Sequence, residues 1–145
     1  MAAAQVERYA RHLRDDTEKL EEYVNKCATR EELRGVMLGF WSTTLRERRE
    51  GRWARINAMG SAYGRADLEN AISDVREELF KRIVALAEQI KARGWLVVDI
   101  DIATAVAWHH SLILSRAFVE RGESIVDMER WDRMTLDALD RLFFG

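Results

Sequence analysis

The stretch AVAWHHSLIL, residues 105–114, decides the fold because it belongs to a helix with two apolar sides. Successive residues of a helix point about 100° apart, so the small residues Ala107 and Ser111 share one side, and bulkier apolar residues occupy the other. Asp101 fits an N-cap, which places the helix at about 102–120. A helix that is apolar on two sides is buried on both. One domain of 145 residues has little room for such a helix, so we expect a partner subunit to cover the second side.

Two adjacent histidines, His109 and His110, interrupt this apolar run. Histidine ligands on one helix favour a spacing of three or four residues, and no Glu-x-x-His signature of a di-iron bundle is present. A metal site is therefore disfavoured. Ser111 directly follows His110 and lies in no GxSxG elbow, which disfavours a catalytic serine–histidine unit. We expect a hydrogen-bonded core or interface role. His109 faces inward, with ligand contact as its next alternative, and His110 flanks the small-residue side.

The composition is that of an ordinary globular domain. Of the 145 residues, 33% are charged, 48% are hydrophobic and none is proline, which favours long helices. A net charge of −2 excludes a global basic field that would attract nucleic acid. No apolar run approaches the ~20 residues of a membrane span. Because Cys27 is the single cysteine, we expect a reduced, half-buried thiol in a cytoplasmic protein, with an exposed, reactive thiol as the alternative.

Five further segments have apolar residues at helical spacing. They are residues 2–28, 30–48, 52–62, 66–93 and 124–143. A capping box of Thr29 and Glu32 opens the second, and Gly94 stands where a C′ glycine ends the fourth. Residues 95–100, WLVVDI, have no partner strand and are expected to form a connector, and Arg121-Gly122-Glu123 a turn. The sequence therefore predicts one all-α domain over residues 1–145, a bundle of five to six helices.

The stretch RERREGRWAR, residues 46–55, contains five arginines and one tryptophan. Arginine with aromatic residues suits phosphate contacts. The stretch is short, however, and the whole domain is slightly acidic. A solvated helix end and turn is the preferred interpretation, with Arg48 and Arg49 where cations favour a helix C-terminus.

Residues 79–115, LFKRIVALAEQIKARGWLVVDIDIATAVAWHHSLILS, resemble the ligand-binding and dimerisation domain of TetR-family transcriptional regulators. The likeness lies in a long helix, an arginine–glycine turn, an Asp-x-Asp helix opening and a following small-residue helix. Ile102 stands where family members often have proline, and Leu114-Ser115 where many have Asp-Gly. The first segment, AAAQVERYARHLRDDTEKLEEY, resembles the helix that leaves the family's DNA-binding head. The helix-turn-helix head itself has no counterpart in these residues.

The resemblance implies the effector-binding and dimerisation domain of a transcriptional repressor. A mainly apolar small molecule would bind among helices 30–48, 52–62, 66–93 and 102–120 and control DNA binding through a head outside this chain. The motifs support neither an enzyme nor a cofactor. Bulky aromatic and methionine side chains from these helices suit an apolar pocket, and Thr44, Tyr63 and His109 are the expected polar contacts. The predicted ligand-binding residues are Phe40, Trp41, Thr44, Met59, Tyr63, Phe80, Val84, Trp108, His109 and Leu112.

The resemblance also implies a homodimer in which helices 102–120 and 124–143 pair with their copies across a twofold axis. The predicted interface residues are Ala107, His110, Ser111, Leu114, Ser115, Phe118, Met128, Trp131, Thr135, Ala138 and Leu142. Two alternatives stay open. One is a stand-alone dimeric helical scaffold or adaptor with a filled core and no ligand, and the other is a small bundle enzyme that uses His109.

Overall fold

The computed structural model describes residues 2–121 and 125–145, and these residues form six helices. They are α1 (Ala2–Asn25), α2 (Arg30–Glu47), α3 (Arg49–Ala62), α4 (Ala66–Ala92), α5 (Ile102–Val119) and α6 (Met128–Phe144). No strand occurs within the two described ranges, so the all-α prediction is confirmed. None of the six helices is long and apolar enough to cross a lipid bilayer.

Short-range sequence signals set several helix ends as predicted. Thr29 opens α2 because its hydroxyl accepts a hydrogen bond from the Glu32 N–H at 3.2 Å. Asp101 opens α5 in the same way, accepting from the Thr104 N–H at 2.8 Å. Gly94 follows the last turn of α4 with φ of +78°, a left-handed conformation that closes a helix and that glycine adopts without strain.

The connector and the start of α3 also depend on single residues. Residues 95–100 form no strand; the Val97 N–H instead donates to the Phe143 carbonyl at 2.9 Å, and Val98 is buried in the core. The expected connector is therefore confirmed. α3 begins at Arg49 rather than near residue 52, because Arg48 is the only non-helical residue between α2 and α3.

The start of α6 differs from the predicted one. The helix begins at Met128 rather than at residue 124, because Asp127 takes the N-cap position and accepts from the N–H groups of Glu129 and Arg130 at 3.0 and 3.2 Å. Residues 125–127 are not helical. The predicted turn residues Gly122 and Glu123, and the predicted helix start at Ser124, lie outside the described residues.

Two apolar clusters hold the helices together. The larger cluster joins α1, α2, α4, α5 and α6 around Trp41, which is 1% exposed. The Trp41 ring centroid lies 5.8 Å from that of Phe143 on α6. Cys27 is a free, buried thiol of this cluster, and burial raises its pKa. The smaller cluster joins Val6 and Tyr9 of α1 to Ile72 of α4 and to the end of α3. The space between the two clusters is not filled.

The helix α5 shows both of the sides that its sequence predicts. Its inner side is buried, with Ala105 and Ala117 at 0% exposure. On the other side, Ala107, Ser111 and Phe118 are exposed in the single chain. The protomer alone therefore covers one side of α5. Cover for the second side by a partner subunit stays a prediction.

Candidate functional site

A cavity of about 510 Å³ lies between the two apolar clusters. This volume is within the range of small-molecule pockets, roughly 300–1,000 Å³. All of α1 to α5 contribute to its wall. The lining residues are Tyr9, Leu13, Asp16, Thr17, Leu20, Phe40, Thr44, Arg55, Met59, Ser73, Arg76, Glu77, Leu79, Phe80, Ile83, Ala107, His109, His110, Ser111, Ile113 and Leu114.

The cavity has a polar end and an apolar end because α1 and α4 run in the same direction. The shared direction follows from two contacts: Val6 packs with Ile72 near the helix starts, and Arg82 donates two hydrogen bonds of 3.0 Å to Glu21 further along. All the polar lining residues of α1 and α4 come before Leu20 and Ile83 along these helices. Leu20 and Ile83, further along each helix, are apolar and continue into the larger cluster.

The polar end is built around Arg55 of α3. Its Nη2 donates to Asp16 Oδ2 at 3.2 Å, and Arg48 donates to the other oxygen of the same carboxylate. Arg76 of α4 lies across the cavity, where its Nη1 is 3.9 Å from the Met59 sulfur. Burial lowers the pKa of Arg55, although Asp16 opposes the shift. The Arg55 side chain is half-buried, with 29% of it exposed.

His109 and His110 form part of the wall from α5. Their ring centroids lie 5.0 Å apart. Burial lowers the pKa of His110 to about 4, helped by the charges of Arg55 and Arg76. Burial and the neighbouring His110 hold the pKa of His109 well below its ordinary value. Both imidazoles are therefore neutral at pH 7, when each can donate one hydrogen bond and accept another.

A second, smaller void adjoins the apolar end and has a volume of about 60 Å³. Leu20, Ile83 and His109 line both spaces. Two buried polar atoms here, Trp41 Nε1 and His109 Nε2, have no hydrogen-bond partner in the described part of the chain. Buried polar atoms are rarely left unpaired in folded proteins. The pair therefore offers a donor and an acceptor to any polar atom of a ligand that reaches this end.

Half of the predicted ligand-binding residues come together at the cavity. Phe40, Thr44, Met59, Phe80 and His109 line it. Trp41 lines the smaller void only. The other four lie elsewhere: Tyr63 is 85% exposed and Trp108 45% exposed, whereas Val84 and Leu112 are half-buried around the larger cluster.

The predicted interface residues separate into three groups. Ala107, His110, Ser111 and Leu114 line the cavity. Thr135 is buried within its own subunit, and its hydroxyl donates to the Trp131 carbonyl at 3.0 Å. The remaining residues lie on partly or fully exposed positions of α5 and α6. They are Ser115, Phe118, Met128, Trp131, Ala138 and Leu142.

The sequence analysis missed the contribution of α1 to the cavity. Tyr9, Leu13, Asp16 and Thr17 all line it. The near-heptad spacing of Leu13, Thr17 and Leu20 predicts a buried helix face, but the spacing does not tell a filled interface from one that leaves a gap. The acidic residue Asp16, next to this apolar face of α1, is the one feature of the sequence that indicates a polar site there.

The arginine-rich stretch at 46–55 is a solvated helix end in part only, since Arg46 and Arg49 are exposed but Arg52 is buried. Arg52 is 2% exposed and donates to Glu120 at 2.9 Å and to the Thr44 carbonyl. Glu120 also accepts from Arg116, whose guanidinium binds Asp132 of α6 through two bonds of 2.6 and 3.0 Å. This buried ionic network, Arg52–Glu120–Arg116–Asp132, joins α3, α5 and α6 beside the cavity.

The arrangement is suited to holding a small molecule with an apolar body and one polar group. Within residues 2–121 and 125–145, no three histidine, cysteine, aspartate or glutamate side chains come together as a metal site would require. Comparisons with models of protein families, with curated proteins and with solved structures found no match to this chain.

Proposed function

We propose that this chain is the effector-binding and dimerisation domain of a TetR-like transcriptional regulator. The observation that carries the proposal is the cavity of about 510 Å³ between α1 to α5. A space of this size with apolar walls and several polar groups is typical of small-molecule sites, which favours a ligand site over the alternative of a scaffold with a filled core. The resemblance of residues 79–115 supplies the family.

The cavity lies where a ligand would affect α1. Tyr9, Leu13 and Asp16 of α1 face the space, and Asp16 is also the residue that ties α1 to α3 through Arg55. A ligand that binds two arrangements of these helices unequally shifts their populations. In the proposed regulator, α1 leads to a DNA-binding head outside this chain. A shift of α1 would alter the spacing of two heads in a dimer.

The proposed homodimer uses the outer sides of α5 and α6. Phe118 of α5 is 70% exposed and Met134 of α6 is 75% exposed, although both are large apolar residues. Large apolar side chains exposed on neighbouring helices favour a protein interface. Ser115 lies one turn before Phe118 and is small enough for close approach of a second α5.

The ligand proposal is tested with N-phenyl-1-naphthylamine, an uncharged apolar dye that fluoresces in dry sites. The dye should bind the wild-type chain saturably. Leu13→Trp should weaken binding, because Leu13 lines the cavity and the larger ring fills part of it. Ala85→Trp is the control, because Ala85 is exposed on α4 and is not part of the cavity wall. Equal binding by both variants, or none by wild type, would contradict a ligand site here.

The regulatory part is tested by electron–electron distance measurements in a Cys27→Ser background. Spin labels at Ala4 of α1 and Glu50 of α3, both exposed, should show a changed distance when the dye saturates the protein. Labels at Asn70 and Glu88, exposed on the single helix α4, should show none. An unchanged α1–α3 distance at full saturation would count against allosteric control through α1.

Sedimentation tests the dimer. Wild type should sediment as a dimer and Phe118→Asp as a monomer, because the exposed position tolerates the charge in the protomer but not inside an interface. Tyr63→Asp, at another exposed aromatic residue far from α6 in sequence, should remain dimeric. A wild-type monomer would remove the dimerisation part of the proposal.

A further inference from the structure

The polar end of the cavity contains guanidinium groups that have few close carboxylate partners. Arg48 and Arg55 share the single carboxylate of Asp16. Arg76 has no carboxylate within 4.0 Å in the described part of the chain; its nearest polar contact is the weak one to the Met59 sulfur. Asp16 therefore serves two guanidinium groups, and Arg76 has no carboxylate of its own among the described residues.

The other acidic residue of the wall, Glu77, is paired with Lys81 at 2.6 Å rather than with an arginine of the cavity. Half-buried Arg55 shares its carboxylate partner with Arg48, and the exposed Arg76 has no such partner among the described residues. A bound anion would give both guanidinium groups a charge-assisted hydrogen-bond partner.

The positive charges of Arg55 and Arg76 also affect the neighbouring titratable groups. Arg55 and Arg76 both act on the Tyr9 hydroxyl, lowering a pKa that burial raises, and both act on His110. The field at His110 disfavours a second cation, and the Tyr9 O–H is a hydrogen-bond donor on the cavity wall. Every one of these groups favours a negatively charged ligand atom over a positive one.

The opposite, apolar end of the cavity indicates that the remainder of the ligand is apolar. Leu20, Phe40, Phe80 and Ile83 form an apolar wall that leads toward the smaller void. We propose that the cavity binds an organic monocarboxylate with an apolar body, its carboxylate group held between Arg55 and Arg76 beside the Tyr9 hydroxyl. This inference rests on the proposed ligand-binding function and names the class of effector. Fatty acids and aromatic acids share the chemistry.

The experiment compares decanoate with decan-1-ol, which has the same chain length and no charge, as competitors of N-phenyl-1-naphthylamine. Decanoate should displace the dye from wild type at a concentration at least about tenfold lower than decan-1-ol requires. Arg76→Gln should weaken the binding of decanoate by about three- to tenfold and leave the binding of decan-1-ol unchanged. Arg76 is exposed on α4, so this variant keeps the fold. Arg55→Gln should act in the same direction.

Arg93→Gln is the matched control, because it removes the same charge from the exposed end of α4, outside the cavity wall. Arg93→Gln should change the binding of neither decanoate nor decan-1-ol. Decanol binding as tightly as decanoate, or Arg76→Gln weakening both equally, overturns the carboxylate inference while ligand binding by the cavity stands. Failure of the dye and of both competitors to bind overturns the proposed function as well.

Discussion

Glu120→Gln should be among the most destabilising conservative changes in this chain. The Glu120 side chain is buried, with 3% exposure, and accepts hydrogen bonds from Arg52 at 2.9 Å, from Arg116 and from Trp53 Nε1 at 3.2 Å. Glutamine keeps the size and one acceptor oxygen, but it removes the charge and turns an NH₂ group toward a guanidinium.

The size of the effect follows from the burial of the partners. Arg52 is 2% exposed and Arg116 is 8% exposed, so neither can recover its lost partner from water. Breaking a buried ion pair from one side typically costs about 3–5 kcal/mol. Asp132 still holds Arg116 through two bonds, so we expect the lower end, about 3 kcal/mol. Domains of this kind have a total stability of about 5–15 kcal/mol.

Urea denaturation followed by far-ultraviolet circular dichroism measures this loss. With a denaturant slope of about 1–3 kcal/mol/M, the midpoint should fall by about 1–3 M. Glu77→Gln is the control, because it also removes a glutamate bonded to a basic side chain, but the pair with Lys81 is exposed. That midpoint should not move measurably. Equal midpoints for Glu120→Gln and wild type would refute the assignment of a structural role to the network.

Three further changes probe single features by the same unfolding assay. Gly94→Ala should lower the free energy of unfolding by about 1 kcal/mol, because a φ of +78° is strained for a residue with a Cβ, although that Cβ would meet no atom within 4 Å. Gly39→Ala, inside α2 and equally open, should raise the free energy of unfolding by a similar amount. Thr29→Ala should cost about 1 kcal/mol by removing the α2 cap, and Thr29→Asn should restore most of it. The lowered pKa of His110, about 4 against an ordinary 6.5, means that the unfolded chain binds more protons between these values. The contribution of His110 to stability is therefore fully present above pH 6.5 and is lost, by up to about 3 kcal/mol, as the pH drops to 4. The loss of stability over this range should be smaller in His110→Gln, in which His109 is the remaining buried histidine of the pair.

The features that the sequence predicts well depend on neighbours in the chain. The caps at Thr29 and Asp101 and the left-handed Gly94 involve residues within five positions of each other. The interactions that end or begin these helices involve only residues about one helical turn apart, so they can be predicted without knowledge of the remaining fold. The same holds for the six apolar stripes that predict an all-α chain.

The features that the sequence predicts poorly depend on partners far apart in the chain. Arg52 can be buried only because Glu120, 68 positions later, meets it. An arginine next to other charged residues gives no local sign of such a partner. Trp41 illustrates the same dependence. Its size predicts a pocket wall, and it is 1% exposed, packs in the larger cluster and borders only the smaller void. Whether a large aromatic fills a core or borders a gap depends on the sum of the surrounding volumes.

Two arginines of α3, buried Arg52 and half-buried Arg55, make ionic contacts with different parts of the molecule. Arg52 holds α3 to α5 and α6 through a network with no exposed member. Arg55, one turn later, binds Asp16 of α1 through one bond of 3.2 Å and faces the cavity. An anion that binds Arg55 competes with Asp16 and leaves the Arg52 network intact. On the proposed function, ligand binding therefore loosens the contact between α1 and α3, while α3, α5 and the dimer surface keep their arrangement. The distance measurement between α1 and α3 tests the direction of this change when decanoate replaces the uncharged dye, because an anionic ligand should lengthen that distance.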